Sequence, residues 1–352
     1  MPLPLYNSQC IANTLNEAKR SDQMNIFKCA KCGKILSGFI PAHCRCGHII
    51  PIVNGVYQFT DDVPIAVEEG SLKWLGYENV GANYRPEYFY DRDNEKFGRY
   101  TNLAEFMGEG KVILDVGAGL GVWAITMSLS GFHAIATDIS QAMMAVAAER
   151  ARRHSAPEDK LIFARMNGCK LELADNSIDG VMATDVLHQV DEPELMMSEI
   201  LRVLKPDGYL IVHNSTSQGY TEEQNAENAI YNEACADIIK CYQDIIAEAG
   251  YSEPVFSRWE RADKCIKESF ETYKSIDDTG AHWCDNRRWP LKWGLHKTKT
   301  RAAGSTQLIP DDVHNSAWAR TDEYAQSKYG ADYESITKTF NYTNGTTLLK
   351  RI

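Results

Sequence analysis

The chain has 352 residues, 44% of them hydrophobic, and its 37 Lys and Arg against 48 Asp and Glu give a net charge of −11. That length predicts two domains or one domain with large additions, and the apolar fraction excludes a disordered or collagen-like chain. The acidity argues against a whole-surface binder of nucleic acid or anionic membrane, while leaving room for a local basic patch.

Residues 1–28 read as a polar tail. The opening MPLPLYNSQCIANTLNEAKR has no basic segment followed by a long apolar run, so no signal peptide is expected. No stretch approaches the roughly 18 uninterrupted apolar residues of a membrane span. Residues 29–60 hold Cys29, Cys32, Cys44 and Cys46 among short β-type runs, KILSGFI and HIIPIVNGVYQF, with Asn54-Gly55 as a hairpin signal. The other cysteines (Cys10, Cys169, Cys235, Cys241, Cys265 and Cys284) are scattered. One metal site plus free thiols points to a reducing compartment, and the expected address is cytoplasmic.

Cys29-x-x-Cys32-Gly and Cys44-x-Cys46-Gly form two knuckles, and thiolates at such spacing let short turns converge on tetrahedral, structural zinc. A symmetric second knuckle would read His43-x-x-Cys46-Gly, so His43 could replace Cys44 as fourth ligand. Cys44 is favoured because sites closed by four thiolates are common, and His48 is expected outside the ligand set.

Residues 61–108 predict a connecting helical segment. From Lys111 the rhythm becomes that of alternating strands and helices. KVILDV is read as a buried parallel strand, GAGLG as a tight turn and VWAITMSLS as a helix. HAIATD is a strand, SQAMMAVAAERARRH a helix, and LIFARM, GVMATD and YLIVHN are further strands, with ELMMSEILRVL helical before the last. A long helix covers EEQNAENAIYNEACADIIKCYQDIIAEAG, then strands are expected at PVFSRW and at the final TTLLKRI. The fold class is thus α/β, a doubly wound, mostly parallel sheet. Residues 109–256 and 341–352 form its core, and 257–340 an insertion serving as lid or substrate module.

The glycines of Gly117-Ala118-Gly119-Leu120-Gly121 end a strand and open a helix, where a ligand must approach the backbone closely. Asp138 closes the next strand, where a carboxylate can accept both hydroxyls of a ribose. A dinucleotide fingerprint would place its third glycine at 122, where the chain has Val122.

VILDVGAGLG, ATDIS and IDGVMATDVLHQVDEPELMMSEILRVLKPDGYLIVHN resemble the class I S-adenosylmethionine-dependent methyltransferases of the type 11-like group, over about residues 111–215. The Leu204 to Gly208 turn before the fifth strand is the most specific part. The resemblance implies a Rossmann-like, seven-stranded sheet and S-adenosylmethionine as cofactor. Asp115, Gly117, Ala118, Gly119 and Gly121 would cradle its methionine part, Asp138 the ribose, and Ile139 the adenine. The family often has Asp-Ala after the third strand. Here Asn167-Gly168 stands there, and an amide oxygen can accept the same bond from the adenine amine. The alternative is that Asp138 and Asn167 cap helices or turns. PIVNGVYQF, within residues 27–60, resembles the tail of Trm112-like zinc-ribbon modules, which carry a Y-P-x-x-x-G-I-P-x-F pattern.

Methyl transfer needs donor and acceptor held in line and water excluded, with a base useful for a hydroxyl or protonated amine. Asp185, His188 and His213, at carboxyl ends of strands, are the catalytic candidates. Asp185 could equally bind the cofactor's ammonium or cap a helix, and His188 could be a helix-face histidine. The Asp185…His188-Gln189 spacing lacks the second carboxylate of metal-assisted methyltransferases. From Arg287 to Arg301 there are six basic residues and no acidic one, interleaved with Trp289 and Trp293. These suit a planar or anionic acceptor, including a base of single-stranded RNA, or else pack into the insertion's own core. Tyr273, Trp283, Trp318, Tyr324 and Tyr329 could shape an acceptor pocket, closed from the other side by Tyr84, Tyr88 and Tyr90. The leading expectation is a methyltransferase acting on a small molecule, with no membrane partner. The alternatives are an RNA methyltransferase (rRNA or tRNA) using the ribbon and residues 287–301, and a partner-binding protein that retains cofactor binding.

Overall fold

The computed structural model describes residues 24–40, 43–60, 99–108, 110–217, 219–252, 259–277, 288–301, 306 and 309–352. The tail to residue 23, most of the connecting segment with Tyr84, Tyr88 and Tyr90, the expected strand over 254–258, and Trp283, Cys284 and Arg287 lie outside them.

The strands in chain order are β1 (Ile52–Val53), β2 (Val56–Gln58), β3 (Val112–Val116), β4 (His133–Asp138), β5 (Leu161–Arg165), β6 (Ile178–Met182), β7 (Leu204–Ser217), β8 (Phe270–Asp277), β9 (Arg288–Pro290), β10 (Thr337–Thr339) and β11 (Tyr342–Arg351). The helices are α1 (Thr101–Met107), α2 (Val122–Leu129), α3 (Gln141–Arg153), α4 (Pro193–Val203), α5 (Glu222–Glu248), α6 (Trp259–Ser269), α7 (Leu291–Lys299) and α8 (Asp311–Tyr329). The helix ends follow local chemistry. Ser140 Oγ accepts the Met143 N–H at the start of α3, and Thr221 with Gln224 forms a capping box on α5.

One sheet has the order β1-β2-β5-β4-β3-β6-β7-β11-β8. Strands β2, β5, β4, β3, β6 and β7 are mutually parallel, while β11 runs antiparallel to both β7 and β8. The expected seven strands are therefore extended to nine. The hairpin at Asn54-Gly55 turns β1 back on β2, and β2 pairs with β5, covering an edge that seven strands would leave open. The strand preceding β11 in the sheet is β8, inside the stretch read as an insertion. Trp259, the last residue of the expected PVFSRW strand, instead opens α6. α6 packs Ala262 and Cys265 inward. The Leu204 to Gly208 turn is looped out within β7, where pairing jumps from Ile178↔Leu204 to Gly180↔Tyr209.

Alternation along the strands divides the core in two. Val112, Leu114 and Val116 face Met196, Met197, Ile200 and Val203 of α4, while Ile113 faces α1, α2 and α3. The cysteine-bearing segment belongs to the first layer, since Cys29, Leu36, Phe39, Cys44 and Ile50 pack into the α4-side core. The segment is also hydrogen-bonded there, with Lys28 N–H donating to Glu172 C=O at 2.8 Å and Ala174 N–H to Ile26 C=O at 2.6 Å. A separate helical unit of α5, α7 and α8 has its own core around Tyr231, Ile238, Leu291, Leu295 and Ala325. Asn228 on α5 ties it to β10, with Oδ1 accepting the Thr339 N–H at 2.8 Å.

Strand starts are pinned by Asp179 on β6. Its buried carboxylate accepts the Val112 N–H at 2.9 Å, and pairs with Lys205 Nζ at 2.8 Å and Lys111 Nζ at 3.3 Å. Three adjacent strands thus share one acceptor. Asp179→Ala leaves the Val112 N–H buried without its partner, and is expected to cost about 2–3 kcal/mol. Urea denaturation of the variant checks this, and a loss below about 0.5 kcal/mol would remove Asp179 from that role.

Candidate active site

The carboxyl ends of β3 and β4 meet through the glycine turn. Gly117, Gly119 and Gly121 have φ of 68°, 52° and 73°, in the region that L side chains rarely adopt. The turn is stitched to β4 twice. Ala118 N–H donates to Thr137 C=O at 2.9 Å, and Gly119 N–H donates to Asp138 Oδ2 at 2.9 Å. The other oxygen of Asp138 accepts the Ser140 N–H at 2.9 Å. From α3 the buried Arg150 reaches across, its Nη1 donating to Leu120 C=O at 2.6 Å. Arg150 carried no signal in the sequence, where it is one of several arginines on a helix.

The three glycines are small for different reasons. A Cβ on Gly117 would lie 2.3 Å from Val186 Cγ2, so this glycine admits the loop after β6. A Cβ on Gly121 would lie 2.9 Å from Ala147 Cβ, so this one lets α2 and α3 close. A Cβ on Gly119 would meet only Met143 Cε, at 3.5 Å. Among the three, only Gly119 borders space that a ligand could use. Gly168 resembles Gly117, since a Cβ there would lie 2.4 Å from Met196 Cε.

Asp115 points to the same place from below. It is 2% exposed, and its Oδ2 accepts the Ala124 N–H at 3.1 Å near the start of α2. Burial pushes its carboxyl up to about 8, a rise opposed by the Ala124 bond and reinforced by the charge of Asp138. Asp115, which the resemblance places at the methionine part of the cofactor, holds the first turn of α2. Asn167 likewise forms a turn, with Oδ1 accepting the Cys169 N–H at 2.9 Å, and Ile139 C=O accepts Arg165 Nε at 3.0 Å.

The catalytic candidates fall in different surroundings. Asp185 is exposed, with φ of 55°, a left-handed conformation uncommon outside glycine and asparagine. The following residue is the Val186 that rests on Gly117. His188, in a single 3₁₀ turn over Leu187–Gln189, is buried under Trp259, the rings 3.5 Å apart and 13° from parallel. Arg261 of the same α6 pairs with Glu194 at 2.6 Å, latching that helix beside the turn. His213 lies on β7, three residues past the Val181↔Leu210 pair. Its Nδ1 is 3.0 Å from the Tyr100 hydroxyl, and its ring is 4.4 Å from that of Trp123. Burial lowers its pKa to about 4, so the imidazole is neutral at neutral pH. Tyr100 and Trp123 were not singled out in the sequence. Trp123, two residues past the last glycine, could have been, whereas Tyr100 lies 12 residues before β3 and reaches His213 only through the fold.

The four clustered cysteines converge, their sulfurs all within 4.8 Å of one another. Cys29 and Cys46 Sγ are 3.8 Å apart, and Cys32 and Cys44 Sγ 3.5 Å. Sulfurs at ~2.3 Å from a tetrahedral ion would be ~3.8 Å apart, so the set can hold a metal. His43 is exposed and joins Ile49 in a backbone bridge.

The basic-aromatic segment is folded into the helical unit. Arg288 pairs with Glu227 at 2.6 Å, Lys299 with Glu334 at 2.7 Å, and Arg301 with Asp311. The Trp289 ring packs on Trp293 at 4.7 Å and on Phe340 at 5.3 Å. Tyr324 and Tyr329 hydroxyls both donate to Asp237 Oδ2, at 2.8 and 2.9 Å, while Tyr273 packs against Tyr209 and under Lys350. Trp318 packs on Tyr242.

Two substitutions separate packing from ligand space. Gly117→Ala is expected to destabilise the fold by about 2–3 kcal/mol, through left-handed strain and the clash with Val186. Gly119→Ala is expected to cost about 1–2 kcal/mol, from strain alone; equal losses in thermal denaturation would contradict this distinction. Asp115 gives a pH signature. Its folded pKa is raised above the unfolded value, so its contribution is fully present below about pH 4 and is lost as pH rises toward 8. Asp115→Asn keeps an acceptor for Ala124 and is expected to flatten the fall in urea midpoint across that window. An unchanged slope would contradict the burial effect.

Residues 114–212 match a family described as a methyltransferase domain. A demethylmenaquinone methyltransferase of Clavibacter sepedonicus is 36% identical over 103 residues, covering 29% of this chain and 40% of that protein. A botryococcene C-methyltransferase of Botryococcus braunii is 27% identical over 226 residues, covering 60% of this chain and 56% of its own. The solved structure of phosphoethanolamine N-methyltransferase 2 from Haemonchus contortus, with phosphomonomethylethanolamine and S-adenosylhomocysteine, aligns over 82% of this chain and 61% of that one, at 16% identity and a TM-score of 0.38. The chain thus spans 40–61% of the length of these relatives. No helix among the described residues is long and apolar enough to cross a membrane. The matched residues run from β3 into β7 and include the glycine turn, Asp138, Asn167 and Asp185.

Proposed function

We propose that this protein transfers the methyl group of S-adenosylmethionine to a small-molecule acceptor. The observation that carries the reading is the Gly119–Asp138 hydrogen bond, which joins an unobstructed glycine to a carboxylate at the carboxyl edge of two adjacent parallel strands. Carboxylate oxygens accept more than one hydrogen bond each, so Asp138 can serve the turn and a ribose together. Relatives named for demethylmenaquinone and botryococcene point to small, lipophilic acceptors.

S-adenosylmethionine would supply an activated methyl on a sulfonium, ready for in-line displacement. The residues of this chain then bind, orient and exclude water. Gly119 would border the methionine part, in a turn shaped by Gly117, Ala118 and Gly121 and supported from below by Asp115. Asp138 would hold the ribose, Ile139, Asn167 and Gly168 would border the adenine, and Asp185 would sit toward the ammonium. His213, neutral and flanked by Tyr100 and Trp123, would orient the acceptor. With a pKa of about 4 it is a weak base, so positioning is the larger part of its role. His188 would brace the turn after β6 from beneath Trp259. Cys29, Cys32, Cys44 and Cys46 would bind a structural zinc ion that closes the N-terminal ribbon. The ion pairs of Arg288, Lys299 and Arg301 favour a packing role for the basic-aromatic segment over RNA contact.

Calorimetric titration with S-adenosylmethionine tests the reading. Binding is expected for the native chain, with Asp138→Ala weakening it by tenfold or more. His213→Ala is expected to leave that affinity within a few-fold while slowing transfer to acceptors in a metabolite screen. No binding by the native chain, or an Asp138→Ala variant that binds within a few-fold, would overturn the assignment.

A further inference from the structure

Between Met24 and Thr60 the chain has four basic residues, Lys28, Lys31, Lys34 and Arg45, and no carboxylate. The whole chain is at −11, so the remainder carries −15. Lys28 is tied to Asp175 at 2.9 Å. Lys31, Lys34 and Arg45 are exposed and make no ion pair among the described residues. The same short segment presents Ile35, Ile40, Ile49, Ile52 and Val53, each between 44% and 70% exposed. These are five of the twelve exposed large hydrophobic residues among those described, within about a tenth of the chain.

The arrangement is repeated. Lys31-Cys32-Gly33-Lys34-Ile35-Leu36 and Arg45-Cys46-Gly47-His48-Ile49-Ile50 align position by position as cation, thiol, glycine, basic-type residue, exposed isoleucine and buried aliphatic. Both glycines have positive φ, 69° and 83°, and both isoleucines close their knuckle in a backbone bridge, to Lys28 and to His43. The two knuckles therefore present equivalent cations and equivalent isoleucines around one sulfur cluster. Ile52 and Val53 continue the aliphatic set along β1, the outer strand of the sheet.

Cations with outward aliphatic side chains match a surface that is anionic outside and apolar just beneath. Single-stranded RNA would instead call for exposed rings on which bases stack. In this segment Phe27, Phe39 and Phe59 are buried and Tyr57 is half-buried. We propose that Lys31, Lys34 and Arg45 with Ile35, Ile49 and Ile52 form a docking face for an anionic lipid surface, the cations at the headgroups and the isoleucines entering the acyl boundary. The acidic remainder is repelled by the same surface, which fixes the orientation of the molecule on it. The inference stands on this face alone and is independent of the transfer reaction.

Sedimentation of the full chain with vesicles tests it, using phosphatidylcholine mixed with phosphatidylserine against phosphatidylcholine alone. Partition onto the anionic vesicles is expected, falling as salt is added. Neutralising Lys31, Lys34 and Arg45 to Gln is expected to weaken it about fivefold per cation. Ile35→Ser with Ile49→Ser is expected to weaken it further, all variants keeping the native thermal midpoint within a few degrees. Equal partition onto the two vesicle types, no response to either set of substitutions, or tighter binding to single-stranded RNA than to anionic vesicles would overturn the proposal. Should a variant lose its native midpoint, the salt response of the unaltered chain decides alone.

Discussion

The architecture turns on one carboxylate. Asp138 ends β4, and through the Gly119 N–H it holds the turn leaving β3 in a conformation that an L side chain would resist. That bond and its neighbour from Ala118 to Thr137 select one conformation of a turn whose three glycines could adopt many. Arg150, Val186 and Ala147 pack around the same turn, and each would clash or lose its partner if the turn relaxed. The feature that makes the edge rigid is the one that leaves Gly119 unobstructed.

The proposed acceptor wall is built differently. His213, Tyr100 and Trp123 come from β7, the residue before α1, and the first turn of α2, so the wall exists only once the sheet and α1 are assembled. Desolvation keeps the imidazole neutral, which suits a hydrogen-bonding wall beside a cationic donor better than a charged one would. His188, equally prominent in the sequence, is committed to Trp259 and belongs to the support of the loop that carries Asp185.

Much of this was legible from residue order. The run of buried strands and the glycine turn before α2 were legible as an alternating α/β sheet, because local periodicity and turn chemistry agree there. The same sequence did not show that Asp115 caps α2, that Gly117 is small for Val186, or that α6 opens at Trp259. These depend on what packs opposite, which spacing along one chain does not encode. The cysteine-bearing segment gave a third kind of surprise. Its cysteines were plain, yet its integration into the α4-side core and its extension of the sheet through β2 emerged only in three dimensions.

A crystal structure with S-adenosylhomocysteine is the most direct test of the central claim that Asp138 organises both turn and cofactor. The account predicts both ribose hydroxyls within hydrogen-bond distance of the Asp138 carboxylate, the Gly119 N–H still bonded to it, and the His213 ring facing the side from which a methyl acceptor would approach. A ribose bound away from Asp138, or a glycine turn rearranged to admit it, would contradict that claim.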